Sequence, residues 1–341
     1  MAAAAAVRKR PEDEGAFAFP VAGGRKRARR QFRSIYDYDK LEALGEGSYG
    51  VVTKARDRRT GETVAVKWVR PDGDGEPDLR AVLLEARCLA AFRGAPSVVQ
   101  IRDVAADAAT GDVFLVMEFV GPSLGDLLAG RRRLSEAETR ACMRQLLAGA
   151  GAMHGAGIIH RDIKPDNVLV GAGGALKICD LGLAAPARPA GTPYPEAENC
   201  VCTLWYRAPE LLMGFPSYGP AVDIWSLGCV MAELLAGEPL FDETETEDEM
   251  LAKVLELRYE IESTEPEEQA FQGLPGLSEA GREVLCGLLS FEADERLTAA
   301  EALGHRWFAE DDAPLPPAPL SAASVRLFEV LVVRARNSSS P

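Results

Sequence analysis

Ile158–Val170 reads IIHRDIKPDNVLV, and its eight residues from His160 to Asn167 hold a His, an Arg, two Asp, a Lys and an Asn between two aliphatic runs. Polar groups crowded this tightly on an apolar frame suit neither a core nor a plain surface loop. The segment therefore reads as a site that needs a carboxylate, an ammonium and an amide held together. Eighteen residues after Asp162, LKICDLGLA places Asp180 at the end of another aliphatic strand.

Upstream of this segment, LGEGSYGVV carries Gly45, Gly47 and Gly50 between two strand-like runs. Glycines so spaced let a β-turn lie close over phosphates, and the same spacing also occurs in plain hairpins and in dinucleotide-binding turns. A dinucleotide motif leads into a helix, whereas this one leads into a second strand, VVTKARD. That removes the dehydrogenase reading. In VAVKWV, Lys67 sits on a strand among the buried-type residues Val64, Ala65 and Val66. A lysine facing a nucleotide pocket needs an anionic partner, and Glu85, in the middle of the helical stretch PDLRAVLLEARCLAAF, is that partner by position. Phosphoryl transfer asks a protein for a carboxylate to take the attacking hydroxyl's proton and for Mg²⁺ to neutralise the phosphates. Asp162 fits the first need, Asn167 and Asp180 offer oxygens to a hard cation, and Lys164 falls beside the transferred group.

The chain of 341 residues is 47% apolar, enough for a sizeable core, and carries a formal charge of −14. Strand-like runs from Tyr38 to Val120 give way to helical periodicity beyond residue 125. The parse is an α+β protein with a small β-rich lobe at 38–120, a hinge near Met117–Val120 and a larger helical lobe at 121–308. Ser135 and Glu138 open one helix as a capping box, and Gly237 ends another. Residues 1–36 and the Pro-rich 309–341 read as tails without a fixed fold. The first tail is basic (VRKRPEDE, GGRKRARRQFR), either a solvated arm or a two-part nuclear import signal. The expectation is a soluble, nuclear or cytoplasmic protein without membrane segments, and its acidic balance argues against direct nucleic-acid binding. Seven cysteines form no CxxC pair, and Cys200 and Cys202 have no partner ligands in the sequence.

The glycine loop, VAVK, HRDxKxxN, DxG and RAPE (Arg207–Glu210), in this order, resemble the eukaryotic protein kinases across Tyr38 to Phe308. Lys164 resembles the serine/threonine enzymes, TLWYRAPELL the cyclin-dependent and MAP kinase branch, EGSYGVV with VDIWSLGCVMAELL the cyclin-dependent kinases, and DVFLVMEFVGPSL (112–124) the plant F-type members. The resemblance implies a bilobal fold, ATP with Mg²⁺, and protein substrates phosphorylated on Ser or Thr followed by Pro in cell-cycle or transcription-related signalling. It implies an ATP pocket of Leu44, Gly45, Gly47, Gly50, Val52, Ala65, Lys67, Met117, Glu118, Val120 and Leu169. It also implies that Arg296 pairs with Glu210 and that Asp223 braces the catalytic loop from below.

Several positions depart from the family. EPDLRAVLLEARCL replaces the PSTAIRE-type helix that docks a cyclin, Leu181 replaces the Phe of DFG, and the region from Phe241 to Ala293 is short. Five residues before Thr203, the activating threonine position is held by Glu198. Of three arginines that grip a phosphothreonine there, Arg161 remains, while Leu84 and Ala185 hold the other two places. Glu198 either pairs with Arg161 or is one more solvated acid. Ser48 and Tyr49 fall at inhibitory phosphosites of the family, or are plain loop-tip residues. The rival from another class is a pseudokinase scaffold, against which Lys67, Asp162 and Asp180 are all retained.

Overall fold

The alternating β-rich runs fold into a twisted sheet and the 3.6-period runs into a helical lobe, as seen in a computed structural model that describes residues 32–47, 50–69, 79–129, 133–195, 203–242, 244–263, 271, 274 and 276–309. The N-terminal lobe contains β1 (Arg33–Ser34), β2 (Tyr38–Gly47), β3 (Gly50–Asp57), β4 (Thr63–Val69), α1 (Leu79–Ala91), β5 (Ile101–Ala106) and β6 (Val113–Glu118). Among the described residues these strands form one six-stranded sheet in the order β1-β5-β6-β4-β3-β2. The β2–β3 hairpin closes at Gly47 opposite Gly50, and register along β3–β4 sets Val52 beside Lys67. On β4, Val64, Ala65, Val66 and Lys67 are all buried, as a strand covered on both faces requires.

Residues 33–36, assigned to the first tail by the sequence, carry regular structure. Arg33–Ser34 pair in parallel with Ala105–Ala106 of β5, and Ser34 caps the short turn Ile35–Asp37. The cause is non-local: Arg33 Nη1 meets Asp57 Oδ2 at 2.8 Å, and its guanidinium lies 4.6 Å from the centre of the Tyr38 ring.

The second lobe follows with α2 (Leu124–Leu128), α3 (Glu136–Gly155), β7 (Ile158–Ile159), β8 (Val168–Val170), β9 (Leu176–Ile178), β10 (Ala185–Pro186), α4 (Pro209–Leu212), α5 (Ala221–Ala236), α6 (Glu247–Ser263), α7 (Glu279–Leu288) and α8 (Ala299–Gly304). Ser135 and Glu138 form the capping box at the start of α3. α5 is mostly apolar and is buried from Val222 to Leu234, the carboxyls of Asp223 and Glu233 included. It ends at Gly237, whose φ of 80° is the left-handed cap that glycine adopts at least cost. One apolar core runs from Leu89 and Phe92 through Ile163, Val168 and Ile178 to Trp225, Val230 and Leu285. The hairpin β8–β9 and the short β7–β10 pair lie on this core. They carry the polar loops that form the site.

Candidate active site

Catalytic-loop geometry starts at Asp223 near the N-terminus of α5, which is 1% exposed. Its Oδ2 accepts from His160 N (2.9 Å) and faces His154 Nε2 (2.8 Å), while Oδ1 accepts from Arg161 N (2.8 Å). Burial would raise this carboxyl, but these bonds outweigh it and hold Asp223 below the ordinary carboxylate range. The expected brace beneath the loop is thus present. It holds Arg161 at a φ of 69°, one of the non-glycine positive values in the described chain; another is Asp180, at 60°. Backbone held in that sparsely populated region concentrates where surrounding bonds over-determine it.

Asp162 projects from this loop with its carboxylate fully engaged. Asn167 Nδ2 donates to Oδ2 (3.0 Å) and to the Asp162 carbonyl (2.8 Å), and Lys164 Nζ lies 3.1 Å from Oδ2. Thr203, which the family resemblance counts with Arg161 and Glu198 among the regulatory positions, meets the candidate base: its N–H and its hydroxyl both donate to Asp162 Oδ1 at 2.9 Å, while Lys164 Nζ donates to Thr203 Oγ1 at 2.6 Å. Because Asn167 spends its amide N–H groups on Asp162, its side-chain oxygen is the atom left to offer a cation.

Across the cleft Lys67 Nζ bonds to Glu85 Oε1 (2.8 Å), Glu85 Oε2 (3.0 Å) and Asp180 Oδ1 (2.7 Å). Burial alone would strip the Lys67 proton, but the Glu85 and Asp180 carboxylates outweigh it and hold its pKa above the ordinary lysine value. Burial likewise pushes Asp180 up and is overcome by the Lys67 ammonium, so Asp180 stays a carboxylate, below its usual range. Glu85 is 4% exposed, and there burial prevails over Lys67 and raises the pKa. Leu181, in the place of a phenylalanine, is 1% exposed and packs in the main core. The substitution keeps an apolar anchor next to Asp180.

The residues expected around a nucleotide fall on β2, β3, β4, β6, the stretch after β6, and β8. Ala65 and Met117 are register partners on β4 and β6 and both are buried, while Val52, Glu118, Val120 and Leu169 are half-buried and Leu44 is exposed. An added Cβ at Gly45 would meet nothing within 4 Å, so no protein neighbour demands that glycine. Two carboxamide or carboxylate donors, Asn167 and Asp180, suit a hard divalent cation. Among the described residues no group of three or more His, Cys, Asp or Glu could hold a metal by itself. A cation here would therefore complete its shell with phosphate oxygens and water, as Mg²⁺ does.

Arg296 forms the expected pair with Glu210 through two parallel bonds of 2.9 and 3.2 Å. Ser48, Tyr49, Glu198, Cys200 and Cys202 lie outside the described residues. Leu84 is exposed on α1 and Ala185 is buried in β10, so neither place of the missing arginines carries charge. Sequence reasoning missed Tyr194 and Tyr218, which approach Arg161 from the stretches on either side of RAPE. It also missed Gly121, whose added Cβ would come within 2.1 Å of the Val170 carbonyl oxygen. No helix among the described residues is long and apolar enough to cross a membrane.

Residues 38–308 match the protein kinase domain. The chain is 44% identical over 316 residues to "Putative cyclin-dependent kinase F-2" of Oryza sativa subsp. japonica, covering 85% of this chain and 95% of that protein. It is 38% identical over 310 residues to "Cyclin-dependent kinase G-2" of Oryza sativa subsp. indica, with 83% of this chain aligned but only 43% of that longer relative. Against "Serine/threonine-protein kinase ppk23" of Schizosaccharomyces pombe the identity is 35% over 303 residues, 83% of this chain and 75% of the relative. With the lysine–glutamate pair and the braced HRD loop in place, the chain belongs to the protein kinase family, as a serine/threonine kinase of the cyclin-dependent kinase type.

Proposed function

We propose that the chain moves the γ-phosphoryl group of ATP to a Ser or Thr hydroxyl of a protein substrate, with Asp162 as the base and Mg²⁺ as the metal. The bond from γ-phosphorus to the bridging oxygen breaks, a bond to the substrate oxygen forms, and the hydroxyl proton passes to Asp162. Lys164 holds charge beside the transferred group, and Lys67, kept in place by Glu85, meets the phosphates of ATP. Asn167 and Asp180 would hold Mg²⁺, which when bound neutralises the phosphate charge. The open space over Gly45 suits a close approach of the β2–β3 hairpin to those phosphates. The observation that carries this reading is Lys67 Nζ bonded at once to Glu85 and Asp180, because it joins β4, α1 and the second lobe in one catalytic arrangement.

A preference for acceptors followed by proline, and action in the nucleus, belong to the same proposal; they rest on the TLWYRAPELL segment and on the basic first tail. The reading is tested with Asp162→Asn. Turnover should fall by about 10²–10⁴-fold, while stabilisation by ATP with Mg²⁺ persists in a thermal melt. An Asp162→Asn variant that phosphorylates a Ser-Pro peptide at the wild-type rate overturns the assignment.

A further inference from the structure

Arg161 connects the loop bearing Asp162 to two tyrosines, Tyr194 and Tyr218, on either side of RAPE. Its backbone N–H goes to Asp223, and its side chain, on a residue 6% exposed, runs the other way. Nε donates to the Leu183 carbonyl (2.6 Å), three residues past Asp180, and Nη1 donates to Tyr218 Oη (2.9 Å). The guanidinium carbon is 5.6 Å from the centre of the Tyr194 ring, within cation–π range. Tyr194 and Tyr218 stack with ring centres 4.3 Å apart and planes 18° from parallel, and they are 3% and 7% exposed. Tyr194 is fixed in turn: Oη donates to the Pro186 carbonyl (2.9 Å), its N–H donates to the Pro216 carbonyl (2.8 Å), and Arg188 lies 4.8 Å from its ring centre with Nη1 on the Pro193 carbonyl (2.8 Å).

We infer that Tyr194 and Tyr218 are positioning residues for phosphoryl transfer: one ring face and one phenol oxygen hold the Arg161 guanidinium, and through it Asp162 and the backbone after Asp180, by packing and without an added phosphate. The inference rests on Asp162 being the base. The stack ties together three stretches that must stay in register, namely the catalytic loop, the segment from Leu183 to Pro186, and the approach to α5. Without the rings the guanidinium loses an acceptor and a π face. A misplacement of about 1 Å at a reacting group costs on the order of 10²-fold in rate.

The test uses the full chain, treated with phosphatase and shown by mass spectrometry to carry no phosphate. Rates are normalised to the fraction that binds ATP with Mg²⁺, which removes losses of folded protein from the comparison. Tyr218→Phe and Tyr194→Leu should each lower kcat about 5- to 30-fold, with the KM for ATP within about twofold. Tyr194→Phe, which keeps the ring, should stay within about threefold of wild type. Wild-type kcat in Tyr218→Phe, or Tyr194→Phe as impaired as Tyr194→Leu, overturns the inference, as does a wild-type chain that phosphatase silences. Tyr218→Phe removes one oxygen and no packing, so it decides the matter even where Tyr194→Leu does not fold. Turnover retained by Asp162→Asn would instead strike the base assignment, which separates the two failures.

Discussion

Glu233 on α5 shows what a single buried carboxyl does to this fold. Burial, with the Asp166 carboxylate adding to it, pushes Glu233 up to about 7 against the bond donated by Tyr206 Oη (2.7 Å). A folded-state pKa above the unfolded value means that the native chain binds the extra proton. Stability is therefore full at low pH and falls as pH rises from the ordinary glutamate range through about 7. Glu233→Gln keeps an acceptor for Tyr206 and abolishes the titration. Relative to wild type, the variant should gain on the order of 2 kcal/mol between pH 5 and pH 8, seen as a melting-temperature difference that grows with pH. A difference that is the same at both pH values would show that Glu233 does not titrate in this window.

Elements place these residues, and the clearest steric demand on them falls just after β6. Gly121 follows β6, and an alanine Cβ there would lie 2.1 Å from the carbonyl oxygen of Val170 at the end of β8. Val170 N donates to the Pro122 carbonyl (2.9 Å), so the clash is with backbone that is itself pinned. Since Leu169 on β8 belongs to the proposed ATP pocket, Gly121→Ala should raise the KM for ATP several-fold and cost about 1–3 kcal/mol of stability. An unchanged KM would mean that the hinge yields without moving β8. The motif-bearing elements were legible from the sequence because their chemistry is local: Lys67 on an aliphatic strand, Asp162 and Asn167 five residues apart on one loop, Asp180 after another strand. The capping box at Ser135 and the cap at Gly237 were legible for the same reason. The two-residue strand β1 was not, because its cause is Arg33 reaching Asp57 across 24 positions. The Tyr194–Tyr218 stack was hidden too: it joins residues 24 apart that share no periodicity, and only the fold brings Arg161 to them.

For the molecule as a whole, the open question is whether a partner must set α1 before the site works. A partner can activate only by favouring a state that the free chain populates too little. In this chain α1 already sits inward on two sets of contacts: Val82 and Ala86 pack with Val113 and Leu115 of the sheet, and Cys88 and Leu89 join Phe92, Val98 and Met117 in the main core. Those contacts seat Glu85 against Lys67, and the face turned to solvent carries Leu79 and Leu84, 42% and 45% exposed. If the inward state is populated at about 90% or more, a cyclin has roughly a tenth of the molecules left to recruit, and the gain in kcat stays under about twofold. The purified chain should therefore phosphorylate a Ser-Pro peptide by itself. Adding each member of a cyclin panel at saturating concentration should leave kcat within that margin. A cyclin that binds and raises kcat tenfold or more would mean that the α1 contacts, though built inward, hold the helix there only in a minority of molecules.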